Sequence, residues 1–493
     1  VLFHLSALSI ERLKISIKAA QKNVMVFTNS SVKNNYFSAI STKNIVQSAY
    51  SIIRRVCDKI IIENIATTSD KFEKDGFFML SDSGKFNIAA AQSGGPTAAI
   101  NASLAGVFRR AAQCPEIGRI YGSINGIEGM INGDLVPLDS ILTSDYDVEL
   151  MKKTPSTVLG SCRYKLAEYD PKDSKTEAEY MKIIETFKEY DIKAFFYIGG
   201  NDSMDTVLKL DRYCKAVGCD VKIIGVPKTI DNDLPGTDHT PGFGSAAKYV
   251  ATTLQEIIRD SRVYSIQSIT IVEIMGRNAG WLTASSCVLR ANGEPAPHLI
   301  YVPEAFPNGF DMEEFLADVG RMMKRYRAVI IAVSEGIVPN ERQYVKTGAD
   351  AFGHTDNSGV AKYLEHRCAE RFGCKVRSIE LNVMQRCSAH IASLTDLNEA
   401  EQIGAAAVEC ALNGNSGRMM GFRRISSEPY RIEIVSFDVS EAANKEKYFP
   451  ANWISADKSD VTTDALNYFL PLIQGEVQTE YRNGIPVHFR LNQ

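Results

Sequence analysis

At 493 residues the chain is long enough for two or three domains with large cores. A net charge of −4 excludes a nucleic-acid or anionic-membrane partner held by bulk charge, and no apolar run is long enough to span a bilayer. The ten cysteines form no CxxC pair and read as free thiols in a reducing, cytoplasmic setting, not as a disulfide or zinc framework.

Residues 1–78 differ from the rest. Residues 1–56 carry many Lys and Arg against a single acid, Glu11, a balance like that of a transit peptide but without a clear amphipathic stripe. The reading favoured here is that Met79 is the true start and that residues 1–78 are an upstream extension, absent from the mature protein. Phe86 to Ala91 then reads as a short apolar strand. Gln92 to Thr97 is a Gly-rich turn, and Ala98 to Ala112 has helical spacing. A strand, a glycine turn and a helix start make an anion cradle of backbone N–H groups, although Gly-Gly also serves turn geometry alone. Gly122 to Gly129 reads as a second glycine-rich loop. Arg163 and Lys165 follow the Gly160-Ser161 turn and suit an anion. Residues 166–190 read as a charged, solvated helix.

Lys193 to Ile198 is a buried-type strand, followed by Gly199-Gly200-Asn201-Asp202-Ser203 and a helix through Cys214. Val221 to Val226 is another strand, running into Lys228-Thr229-Ile230-Asp231-Asn232-Asp233. Two carboxylates and a cation on one strand-end loop suit phosphoryl transfer: a base, a magnesium site and charge neutralisation. An isolated Asp-Asn-Asp fits a polar turn equally well; its neighbours favour the chemical reading. In an open parallel sheet the carboxyl ends of such strands gather into one crevice. The second half repeats the pattern. Ser268 to Ile274 ends in Met275-Gly276-Arg277, and Arg327 to Val333 ends in Ser334-Glu335-Gly336. Helices are expected at 309–326, 358–372 and 396–412. Arg377 and Arg386 lie between the last two. Residues 440–493 offer no usable motif.

From Phe86 to Leu412 the chain resembles the phosphofructokinase family. The motifs are SGGPTAAIN, NGIEGM, LGSCRYK, GGNDS, PKTIDND, PGFGSA, EIMGR, SEGI and MQR, in the family's order. The resemblance implies an α/β phosphofructokinase fold: two similar Rossmann-like, three-layer domains with parallel-rich sheets and a cleft between them. Boundaries are expected at 79–242 for the phosphoryl-donor domain and 243–384 for the fructose-phosphate domain. Residues 385–493 would return to the first domain and add a C-terminal elaboration. The implied reaction is glycolytic, phosphorylating the 1-hydroxyl of fructose 6-phosphate. It assigns Asp231 as base and Asp233 with Asn201 and Asp202 to Mg2+. Lys228, Thr229, Arg163 and Gly95 would meet the phosphoryl group. Met275, Gly276, Arg277, Glu335, Arg377 and Arg386 would grip the sugar phosphate. A homodimer or homotetramer is expected.

The donor is read from two replacements. ATP-using members carry GGDGS and GTIDND; here Asp202 and Lys228 stand at glycine positions. A carboxylate at 202 fills the space of a nucleotide α-phosphate and repels it. Lys228 supplies a point charge suited to pyrophosphate. Both resemble the family's pyrophosphate-dependent branch, and Ile124 stands where ATP enzymes place a tyrosine against adenine. Asp202 as a helix cap remains open. So do an ATP-dependent 6-phosphofructokinase and a non-catalytic regulatory subunit. Asn201 stands where most members have a metal-binding Asp. Ser268 stands where bacterial ATP enzymes place an Arg that reaches a neighbouring subunit's substrate.

Overall fold

The structure, a computed structural model, describes residues 85–341 and 359–491. The expectation for residues 1–78, and Met79 as a start, lie outside them. The described residues from 85 onward form one compact unit built on two larger sheets, with a two-stranded ribbon at residues 481–486.

The larger sheet has seven strands in the order β11-β10-β5-β4-β1-β2-β3. They are β1 (Phe86–Gln92), β2 (Ile117–Ser123), β3 (Leu135–Pro137), β4 (Ile192–Gly199), β5 (Lys222–Pro227), β10 (Arg418–Ser427) and β11 (Tyr430–Asp438). The central strands β2, β1, β4, β5 and β10 run parallel, and β3 and β11 close the edges antiparallel. The smaller sheet is β7 (Leu299–Tyr301), β8 (Ala328–Ser334), β6 (Ser268–Ile274) and β9 (Lys375–Glu380), in that order and all parallel. Strands buried on both faces need no polar alternation. This is why β8, buried throughout, is apolar from Ala328 to Val333, and why β6, equally buried, is apolar apart from Ser268, Thr270 and Glu273.

Helices cover the faces. α1 (Ile100–Ala112) follows the first glycine turn, α2 (Ser174–Glu189) precedes β4, and α3 (Asn201–Ala216) follows it. α4 (Phe243–Ser261) leads to β6; α5 (Met312–Met323) and α6 (Val360–Phe372) flank β8 and β9. α7 (Leu394–Leu412) packs on α1, and α8 (Thr463–Phe469) joins the core against α4.

Two expectations need correction. Residues 166–173 are not helical: Pro171 disfavours helix at Asp170, and Asp173 starts α2 by accepting the N–H of Lys175 at 3.0 Å. Gly122 to Gly129 is no open loop, because β2 ends at Ser123 and a short helix begins at Ile127. Its glycines serve close packing: a Cβ at Gly129 would lie 2.1 Å from the Ile124 carbonyl, and one at Gly126 2.7 Å from the Cys162 sulfur. After residue 440, Phe449, Ala465, Phe469 and Leu472 are buried in the core.

The α1–α7 contact depends on two glycines. A Cβ on Gly106 would lie 1.9 Å from the Glu401 carbonyl oxygen, and one on Gly404 2.0 Å from that of Ser103. Only hydrogen lets these backbones approach. Gly404→Ala should therefore destabilise the fold by about 1–3 kcal/mol or more. Gly320, inside α5, meets only the Phe372 ring at 3.6 Å, so Gly320→Ala should stabilise by up to about 1 kcal/mol. Urea unfolding of both variants checks the opposite signs.

Candidate active site

The carboxyl ends of both sheets' strands surround one narrow cleft. It is lined by residues 93–97 after β1, Arg163 and Tyr164, residues 200–203 at the start of α3, and Lys228, Thr229, Ile230, Asp231 and Asp233 after β5. Met275 and Arg277 after β6 and Arg386 after β9 close the other side. The interior holds about 110 Å³, well under the roughly 300–1,000 Å³ of a typical small-molecule site. Its cationic lining suits charged groups.

Lys228 lies at the floor and is only 2% exposed. Its N–H bonds the Gly199 carbonyl at 2.9 Å, continuing the β4–β5 ladder, and its ammonium donates to the Gly95 carbonyl at 2.6 Å. Burial pushes the ammonium down to about 7; Asp231 opposes this, and Arg277 and Arg386 add to it. The glycine turn above is held by Ser161, whose hydroxyl donates to the Gly94 carbonyl at 2.7 Å. Arg386 crosses over Gly95, where a Cβ would meet its guanidinium at 3.0 Å. Its Nε is buried with no hydrogen-bond partner, and burial lowers its pKa before Asp231 and its other neighbours act.

Asp231 and Asp233 both face the cleft. The Asp231 N–H donates to the Thr229 hydroxyl at 3.1 Å, and its carboxylate lies 3.8 Å from the Arg277 guanidinium. Burial and then the Asp231 charge push the Asp233 carboxyl up to about 7. Between them Asn232 turns inward with φ +56°, a left-handed conformation Asn tolerates better than most.

Asp202 is the second residue of α3, whose cap position is Gly200 without any side-chain bond. It caps nothing; it lines the cleft, with Lys165 at 4.0 Å. Asn201 lines the cleft too, but both its polar atoms are engaged elsewhere. Its oxygen accepts the Asn444 N–H at 2.7 Å, and its NH2 donates to the Lys445 carbonyl. Among the described residues no three His, Cys, Asp or Glu side chains form a ready-made metal cage. The acids that face the cleft, Asp202, Asp231 and Asp233, are hard oxygen donors of the kind Mg2+ takes.

Not every expected residue converges. Glu335 stands behind the wall, accepting the N–H groups of Gly276 at 3.2 Å and Arg277 at 2.9 Å. It thereby holds the turn in which Gly276 has φ +145°. Arg377 lies outside the cleft, on edge strand β9, paired with Asp260 at 2.9 Å. Ile124 packs against the core and does not line the cleft.

A family model for phosphofructokinase matches residues 87–411. The chain belongs to the phosphofructokinase family. It is 40% identical over 410 residues to the pyrophosphate--fructose 6-phosphate 1-phosphotransferase of Methylococcus capsulatus, spanning 82% of this chain and 96% of that one. Its identity to the enzyme of that name from Halomonas elongata is 38% over 407 residues, 81% of this chain and 94% of the other. The crystal structure of a pyrophosphate-dependent phosphofructokinase from Marinobacter aquaeolei superimposes with a TM-score of 0.72 at 37% identity, covering 82% of this chain and 96% of that one.

Sequence reasoning missed how this phosphofructokinase braces its cleft. Lys447 donates through its backbone N–H to the Asp233 carbonyl at 2.7 Å and through its ammonium to the Asn232 side chain at 3.2 Å. Tyr468 takes the Asn232 NH2 at 3.0 Å. Neither residue sits in a motif, and no periodicity marks them.

An anion entering the cleft should recharge Lys228. Sulfate, which does not titrate near neutrality, should bind with uptake of protons at pH 8 and little uptake at pH 6, its affinity falling as pH rises through about 7. Calorimetry in buffers of differing ionisation enthalpy reads the uptake, and Lys228→Met should remove most of it.

Proposed function

We propose that this chain moves a phosphoryl group from pyrophosphate to the 1-hydroxyl of fructose 6-phosphate, giving fructose 1,6-bisphosphate and phosphate in a readily reversible glycolytic reaction. The observation that carries the donor assignment is that Asp202 and Lys228 both line one cleft. The ammonium neutralises linked phosphates from below, and the carboxylate occupies the side where a nucleotide would continue. The like-named relatives support the same donor.

In this reading Asp231 accepts the hydroxyl proton, while its backbone is fixed by the Thr229 hydroxyl. Lys228, Arg163, Thr229 and the Gly94-Gly95 backbone surround the transferring group. Little covalent help is needed, because positioning and electrostatics carry most phosphoryl-transfer catalysis. Met275, Gly276, Arg277 and Arg386 hold the sugar phosphate, with Glu335 setting their turn. Asp233 and Asp202, together with substrate oxygens, would hold Mg2+, whose charge would offset that of the phosphates; Asn201, occupied with the 444–445 backbone, would contribute least. Arg377, paired with Asp260, lies outside the cleft and has no part in it in this reading; a homodimer or homotetramer fits the same reading. Among the described residues no helix is long and apolar enough to cross a membrane, and a cytoplasmic enzyme fits this reading.

Turnover measured with each donor tests the proposal. Pyrophosphate should support phosphorylation of fructose 6-phosphate and ATP should not; strong activity with ATP alone refutes the donor. Asp231→Ala should lower kcat by about 10²–10⁴-fold with sugar-phosphate binding kept, and near-normal turnover would remove Asp231 from the role of base.

A further inference from the structure

Asp231 and Asp233, two of the three acids that face the cleft, are separated by one buried residue, and the hold on that residue comes from the far end of the chain. Asn232 is fully buried and points away from the cleft. Its oxygen accepts from the Lys447 ammonium at 3.2 Å, and its NH2 donates to the Tyr468 hydroxyl at 3.0 Å. Tyr468 donates onward to the Asp238 carbonyl at 2.6 Å. Lys447 completes the circuit, donating to the carbonyls of Asp238 at 2.9 Å and Thr237 at 3.0 Å.

The circuit is closed and complete. An ammonium has three donors, and here three oxygens receive them. The ammonium lies over the Trp281 ring, 4.8 Å from its centre, and the indole N–H donates to the Lys447 carbonyl at 3.0 Å. Lys447 also donates its backbone N–H to the Asp233 carbonyl. One residue thus fixes both the side chain between the two acids and the backbone of the second acid.

The geometry points to a task for this arrangement. With Asn232 drawn inward at positive φ, the residues on either side present their carboxylates to the cleft. Release Asn232 and the turn loses the constraint that aims both. We propose that Lys447 is a positioning residue for phosphoryl transfer. It touches no reacting atom and acts by holding the Asp231-Asn232-Asp233 turn in its working form. The inference rests on the phosphotransferase reading given above.

The test is a kcat-against-KM comparison in the full chain, using whichever donor the parent protein accepts. Lys447→Met keeps an unbranched apolar side chain and removes the ammonium with its three donors. Asn232→Gly keeps positive φ accessible and removes the anchored side chain. Each should lower kcat at least tenfold per folded molecule while KM for fructose 6-phosphate stays within about twofold. The double variant should be little worse than either single one, because both cut the same link. If Lys447→Met fails to fold, Asn232→Gly alone decides. A kcat within threefold of the parent, or losses that multiply in the double variant, would overturn the proposal. A parent chain inactive with both donors would instead defeat the function reading, and this inference with it.

Discussion

The cleft depends on a buried ammonium. Removing a charge from water costs several kcal/mol unless partners surround it, and Lys228 is almost wholly enclosed. Its partners come from different parts of the chain: the Gly95 carbonyl from the first glycine turn, and the carboxylates of Asp231 and Asp233 from its own loop. The strand ladder fixes where the lysine begins, because its N–H bonds the Gly199 carbonyl. The cost of burial is visible in the lowered pKa. A phosphate entering the cleft would offset that cost, so the burial of Lys228 favours an anionic ligand.

Buried acids shape the walls in a second way. Glu335 grips the 276–277 turn and Glu304 ties the Gly280 N–H at 2.9 Å to the Phe449 N–H at 2.7 Å. Asp396 accepts from the N–H groups of Gly242 and Ser245, both at 2.9 Å, at the start of α4. Glu273 does the same for Gly359 at 3.0 Å and Ala361 at 2.8 Å at the start of α6. Each carboxylate meets backbone donors that helix starts and tight turns leave unpaired. Burial raises the pKa of all four. The loops that carry the site are therefore held by charge-assisted bonds to the scaffold.

Much of this was legible before any coordinates. β1 and β6 announce themselves because buried strands are mostly apolar, and the turns after them carry glycine. The cleft gathers Gly95, Arg163, Asp202, Lys228, Asp231, Arg277 and Arg386 because parallel strands end on one side. What stayed hidden depends on contacts distant in sequence. Asn201 bonds residues 444–445, and Lys447 and Tyr468 bond Asn232, across more than two hundred positions. No local pattern encodes such pairs. Gly122 to Gly129 misled for a related reason: glycines that admit a neighbouring backbone look the same in sequence as glycines that admit a phosphate.

The central claim is that the charges at 202 and 228 select two linked phosphates over a nucleotide. Competition binding measures it most directly, with methylenebisphosphonate as a stable pyrophosphate mimic and β,γ-methylene ATP as challenger. The account predicts one bisphosphonate site per chain, lost in Lys228→Met and left undisturbed by the nucleotide. Displacement of the bisphosphonate by the nucleotide at comparable concentration would contradict it.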